Sequence, residues 1–280
     1  MRIDAHQHLW DLTVRDQPWT AELPVLRRSF AMSDLAPALD AHGIAGTILV
    51  QTVTVPEETP EFLALAASDP RILGVVGWVD LAAPDVAGRL AALQALPGGD
   101  RLVGIRHQVQ HEADADWLLR SDVRRGLEAV AAAGLVYELV VTHDQLPSAV
   151  AVVGQVPAVR WVLDHAGKPP IASGDDAAWR EHISALALHA NVACKLSGLV
   201  TEASEDWTVE DLQPYASHVL QSFGADRVMV GSDWPVCLLR TSYDENIALL
   251  ELLVGDLTHA EQLQVWGGTA LRWYGLAPLS

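Results

Sequence analysis

Eight short apolar segments rich in β-branched residues recur along the chain, at 2–6, 45–51, 72–78, 102–106, 136–141, 159–164, 192–196 and 227–231. Most are continuous apolar runs rather than alternating ones, the pattern of parallel strands covered by helices on their outer face. Ala/Leu-rich stretches of helical periodicity separate them. Strand then helix, eight times over at intervals of roughly 25 to 45 residues, predicts a (β/α)8 TIM barrel. The 280 residues suit one such domain spanning 1–280, since these barrels take roughly 250 residues. A doubly wound open sheet is the main competitor. It usually needs fewer strands, and no Gly-rich phosphate turn follows the first strand here.

Helix punctuation supports the division. Ser121 is an expected N-cap before a helix over 122–133, which Gly134 ends, and Thr258-x-x-Glu261 reads as a capping box. Helix-to-strand turns such as His42-Gly43-Ile44 are tight, whereas the strand-to-helix segments 7–32, 107–120, 165–176, 197–207 and 232–242 are long. Long loops after strands place the working face at the strand C-termini.

A net charge of −18 repels phosphate backbones and anionic membrane surfaces, which sets nucleic acid aside as a partner. Two cysteines, Cys194 and Cys237, make no disulfide framework and no metal-type C-x-x-C. No apolar run approaches the roughly 20 residues of a membrane span. The opening lacks a charged-then-apolar leader, so a cytoplasmic protein is expected. A homo-oligomer stays open.

Chemistry concentrates at the expected strand ends. Residues two apart on a strand face the same way, so His6 and His8 can present two imidazoles to one ion, with zinc or a similar first-row metal suited to them. A hydrogen-bonded interior pair is the bland alternative. Gly231-Ser232-Asp233 closes strand eight, which lies beside strand one in a barrel. Asp233 would therefore face His6 and His8, able to ligate the ion and to take a proton from water; a simple turn or cap is its other reading. His165 ends strand six as a third ligand or as a group that holds the attacking water.

Arg106, ending strand four, would meet substrate, because a guanidinium in a barrel mouth needs an anion or carbonyl partner. Only two of the 18 basic residues are lysines, Lys168 and Lys195, and both sit at strand ends. Lys195 is a candidate donor to substrate. His107 and His143 also fall at strand ends, and Trp10, Trp78 and Trp234 could wall a ring-shaped ligand, although core packing explains any one of them equally well.

At these residues the sequence resembles the amidohydrolase superfamily, and within it the sugar-lactonase branch of L-fuconolactonase and L-rhamnonolactonase-like proteins. The matching segments are IDAHQHLWD (3–11), GIRH (104–107), VLDHAGKP (162–169), CKLSGL (194–199) and VMVGSDWPV (228–236). The resemblance implies a (β/α)8 hydrolase with His6, His8, His165 and Asp233 as its metal-site residues. It further implies one divalent metal, zinc or else manganese, and a sugar-lactone substrate. Two-metal members often carry a carboxylated lysine on strand four, where this chain has Arg106-His107, so a lysine-bridged pair of ions is not expected. His143 departs from the branch pattern and stands as an extra ligand, a substrate contact or an incidental residue. The expected reaction opens the lactone, with Asp233 and His165 as catalytic residues and Arg106, His107, Lys195, His143, Trp78 and Trp234 around the substrate. A metal-dependent decarboxylase on the same scaffold is the near alternative, and a non-catalytic sugar-acid binding protein the distant one.

Overall fold

All eight expected strands form in the computed structural model, which describes residues 1–277; the last three positions of the expected 1–280 domain lie outside the described residues. They are β1 (Arg2–Gln7), β2 (Ile44–Val50), β3 (Ile72–Gly77), β4 (Leu102–His107), β5 (Val136–Leu139), β6 (Arg160–Leu163), β7 (Val192–Leu196) and β8 (Val228–Val230). One sheet orders them β1 to β8 in sequence, with every neighbouring pair parallel. Closure comes at the top edge, where the chain leaving β8 pairs with the end of β1. The His8 amide donates to the Trp234 carbonyl at 2.7 Å, and the Asp233 amide to the His6 carbonyl at 2.8 Å. The result is a (β/α)8 barrel.

The helices of the outer ring are α1 (Met32–Ala41), α2 (Glu58–Ser68), α3 (Val86–Gln94), α4 (Ser121–Ala132), α5 (Leu146–Gln155) and α6 (Ala177–Ala187). After β7 come a single turn, α7 (Leu199–Glu202), and the longer α8 (Val209–Phe223); α9 (Tyr243–Leu253), α10 (His259–Leu263) and α11 (Thr269–Tyr274) follow β8. Thr258 and Glu261 form the expected capping box. Ser121 is not a cap: α4 starts on it, with Arg120 in the cap position and no side chain bonded to the helix end. Among the described residues no helix is long and apolar enough to cross a membrane.

Two apolar layers hold the barrel. The outer one lies between strands and helices, and the inner one fills the barrel with Ile3, Ile48, Val136, Val162, Ala193 and Met229, among others. Trp273 and Tyr274 of α11 join this inner cluster and close the barrel floor, the Trp273 indole donating to the Trp161 carbonyl. Inward positions repeat every second residue. Above Val136, Val162 and Ala193, the next inward residues are therefore Glu138, Asp164 and Lys195, a polar layer between the apolar plug and the mouth.

Candidate active site

The hydrogen bonds that close the barrel also assemble its mouth. Asp233 adopts a left-handed backbone (φ 55°) just past β8, which turns its carboxylate over the end of β1. Its Oδ1 lies 3.3 Å from His8 Nε2 and 3.7 Å from His6 Nε2, and the two imidazole nitrogens are 3.2 Å apart. Gly231 permits this approach, because a Cβ there would stand 2.7 Å from His6 Cβ and 2.9 Å from its amide nitrogen. His165 arrives from the segment after β6, where His165, Ala166, Gly167 and Lys168 are successively left-handed. Such a run is costly and persists where surrounding contacts determine it. The His165 ring meets that of His6 edge-on at 4.5 Å, and its Nδ1 lies 2.9 Å from Ser197 Oγ.

The structure thus brings together His6, His8, His165 and Asp233. His6, His165 and Asp233 offer ligand atoms within 4.8 Å of one another. The donor set fits a divalent ion. Val50 O can only accept, so the 2.7 Å contact from His8 Nδ1 places the proton there and leaves the Nε2 lone pair facing Asp233. A tetrahedral zinc with ligands at about 2.1 Å separates them by about 3.4 Å, close to the spacings found here.

Electrostatics prepares the same groups. Burial pushes the His165 imidazole down to about 4, against the opposing pull of Asp233 and Asp164. Burial also drives His6 well below its ordinary value, helped by the Lys195 ammonium. For Asp233, burial opposes ionisation but is outweighed by His165, His8 and His6, so its carboxyl stays below the usual carboxylate range. At neutral pH the mouth therefore holds an ionised acid beside neutral His6 and His165.

Arg106 is buried beside them and donates from Nε to Gln51 Oε1 (2.9 Å), from Nη2 to Gln51 O (2.5 Å) and from Nη1 to Asp164 Oδ2 (3.0 Å), and its Nη1 also lies 3.2 Å from His6 Nε2. It still reaches a polar cavity of about 260 Å³ whose floor includes His8, His165 and Asp233. Trp19, Gln108, His111 and Lys168 stand on its walls. A larger cavity of about 600 Å³ lies elsewhere, between Trp10, Phe30 and the α2 residue Phe62, and contains none of these groups.

Several residues expected at the substrate do not line that cavity. His107 follows Arg106 on β4 and must face the other way; it stacks on Trp117 at 4.2 Å and contacts Glu112 through Nε2. Trp78 donates to His107 Nδ1, and Trp234 is buried edge-on against Phe30. His143 is exposed just beyond β5. Lys195 is fully buried beneath His6, bound to protein groups. Sequence reasoning in turn gave no role to Gln51, Glu138 or Asp164, nor to the cavity residues Trp19, Gln108 and His111. One signal was available for Glu138: it is the lone acid inside an apolar strand.

A model of the amidohydrolase family matches residues 3–276. An L-fucono-1,5-lactonase of Burkholderia multivorans is 41% identical, with 99% of this chain and 96% of that protein aligned. Its counterpart in Burkholderia ambifaria is 38% identical over 98% of this chain and 95% of its own length. The crystal structure of a Burkholderia multivorans amidohydrolase with bound zinc superposes with a TM-score of 0.93 at 41% identity, covering 99% of this chain and 100% of that one. With its eight-stranded barrel, and matched over nearly its whole length, the chain belongs to the amidohydrolase family.

Proposed function

We propose that this chain opens the ester ring of a sugar-acid lactone, acting in the cytoplasm, with Asp233 and His165 as its catalytic residues. One observation carries the reading: the Asp233 carboxylate and the His8 and His165 imidazoles line one small cavity, with His6 buried directly behind them. The relatives named L-fucono-1,5-lactonase, aligned over almost the full chain, support L-fucono-1,5-lactone as the first substrate to try. The cavity volume suits a single sugar ring, lying just below the range of roughly 300 Å³ upward for small-ligand sites. His6, His8, His165 and Asp233 would hold one divalent ion, zinc first and manganese second, which when bound supplies Lewis acidity toward the carbonyl.

The chain's own groups do the rest. Asp233 takes a proton from water as the water oxygen bonds to the lactone carbonyl carbon, with His165 orienting that water. Arg106 contributes fixed positive charge at the oxygen where negative charge develops. The ring C–O bond then breaks, and Asp233 returns its proton to the departing ring oxygen, giving the open hydroxy acid.

A decarboxylase would use Arg106 to clamp a substrate carboxylate. Its Nε, Nη1 and Nη2 already serve Gln51 and Asp164, and Nη1 also lies 3.2 Å from His6 Nε2, which leaves no free bidentate edge and favours the lactonase. The test is a panel of aldonolactones, L-fucono-1,5-lactone included, followed by pH-indicator change with zinc, with manganese and with chelator. Acid release from at least one lactone is expected. Silence across the panel, together with carbon dioxide release from aromatic acids, would reverse the assignment.

A further inference from the structure

Beneath the mouth lies a second set of ligand-type groups, which shares His6 with the mouth and adds two carboxylates that the proposed reaction does not use. His6, Glu138 and Asp164 present a nitrogen and two carboxylate oxygens within 4.8 Å of one another, all buried, and they come from β1, β5 and the end of β6. Their centre is filled by Lys195, fully buried on β7. Its Nζ lies 2.7 Å from Glu138 Oε2, 3.0 Å from His6 Nδ1 and 3.1 Å from Asp164 Oδ1.

Two features mark this as an ion's position rather than an ordinary salt bridge. Asp164 Oδ1 is completely buried and makes no hydrogen bond, despite its 3.1 Å approach to Nζ. Such an oxygen faces positive charge without directional bonding, as a metal ligand does. The third neighbour, His6 Nδ1, is likewise a ligand-type atom, set 3.0 Å from an ammonium that can only donate.

We propose that the Lys195 ammonium is a built-in cation standing at a second ion position of this barrel, where it aligns His6 and keeps that position closed to a divalent ion. The centre consequently takes at most one ion, in the mouth. Charge balance agrees, with Lys195 and Arg106 facing Glu138 and Asp164. Tyr274 closes the layer from below by donating to the other Glu138 oxygen. Lys195 is thus a positioning residue, acting on substrate only through His6.

The inference extends the one-ion reading of the mouth, and a difference measurement keeps the two apart. Wild type, Lys195→Ala, Lys195→Met and Lys195→Ala/Glu138→Gln are dialysed to equilibrium against zinc chloride and the bound metal is counted. Lys195→Ala should hold one more zinc per chain than wild type, whatever the wild-type number. Lys195→Met, which fills the space without charge, and the double variant should return to the wild-type count. Equal counts in Lys195→Ala and wild type overturn the proposal, as does an extra ion that survives Glu138→Gln. Wild type binding no zinc at all would instead count against the mouth as a metal centre. Should Lys195→Ala fail to fold, Lys195→Ser is counted in its place: one zinc more than wild type is expected, and an unchanged count overturns the proposal.

Discussion

The amide of Asp233 donates to the carbonyl of His6 at 2.8 Å, joining residues that lie 227 positions apart in the chain. One backbone contact thereby completes the barrel and delivers the acid to the imidazole pair. Fold closure and site assembly are the same event, so substitutions that loosen this seam should lose activity before they lose the barrel.

Gly198 tests how tightly the histidines are set. Its φ is +64°, and a Cβ there would fall 2.7 Å from His165 Nδ1. Gly198→Ala should cost about 1–2 kcal/mol for the left-handed backbone alone. Displacing His165 should lower kcat/KM on the lactone by about 10-fold or more, since misplacements near 1 Å can cost about 100-fold. Thermal unfolding and steady-state kinetics of the purified variant measure the two effects separately.

The pH profile should be flat through neutrality. His165 is held down to about 4 by burial, and Asp233 lies below the usual carboxylate range, so from pH 6 to 8 the imidazole is neutral and the carboxylate ionised. Protonation removes the acceptor only on the acid side, and kcat/KM should therefore fall below about pH 5. An acid limb centred near 6.5, the ordinary histidine value, would contradict this.

Glu58 makes a stability prediction away from the chemistry. Burial raises its carboxyl to about 7, against hydrogen bonds from the Thr52 side chain and the Thr52 and Val53 amides. The folded state therefore binds its proton more tightly than the unfolded state, whose value is the ordinary 4.5. Between pH 4.5 and 7 the folded chain carries more protons, so the stability this group contributes at low pH is lost as pH rises, up to roughly 3 kcal/mol. Wild-type Tm should decline from pH 5 to 8 more steeply than that of Glu58→Gln. Parallel curves would show that Glu58 is ionised throughout.

Much of this architecture was legible because periodicity is a local signal. Apolar runs place all eight strands, and the spacing of His6 and His8 puts both in the mouth once strand eight returns to strand one. The polar layer was harder to read. Glu138 and Lys195 announce burial by interrupting apolar strands, but their mutual partnership depends on which inward positions share a level, a property of strand stagger rather than of sequence. His107 shows the reverse case: adjacent residues of a strand face opposite sides, so Arg106 and His107 could not both have entered the mouth. Gln108 and His111 reach the cavity from a loop whose path no repeat fixes.

The Asp233→Asn variant tests the central claim most directly. Asparagine keeps the shape and the backbone contact to His6 but cannot take up the water proton. On the best lactone of the panel, kcat should fall by about 100- to 10,000-fold, with KM changed little and Tm close to wild type. Full wild-type turnover by a correctly folded Asp233→Asn protein would remove Asp233 from the chemistry and the proposed mechanism with it.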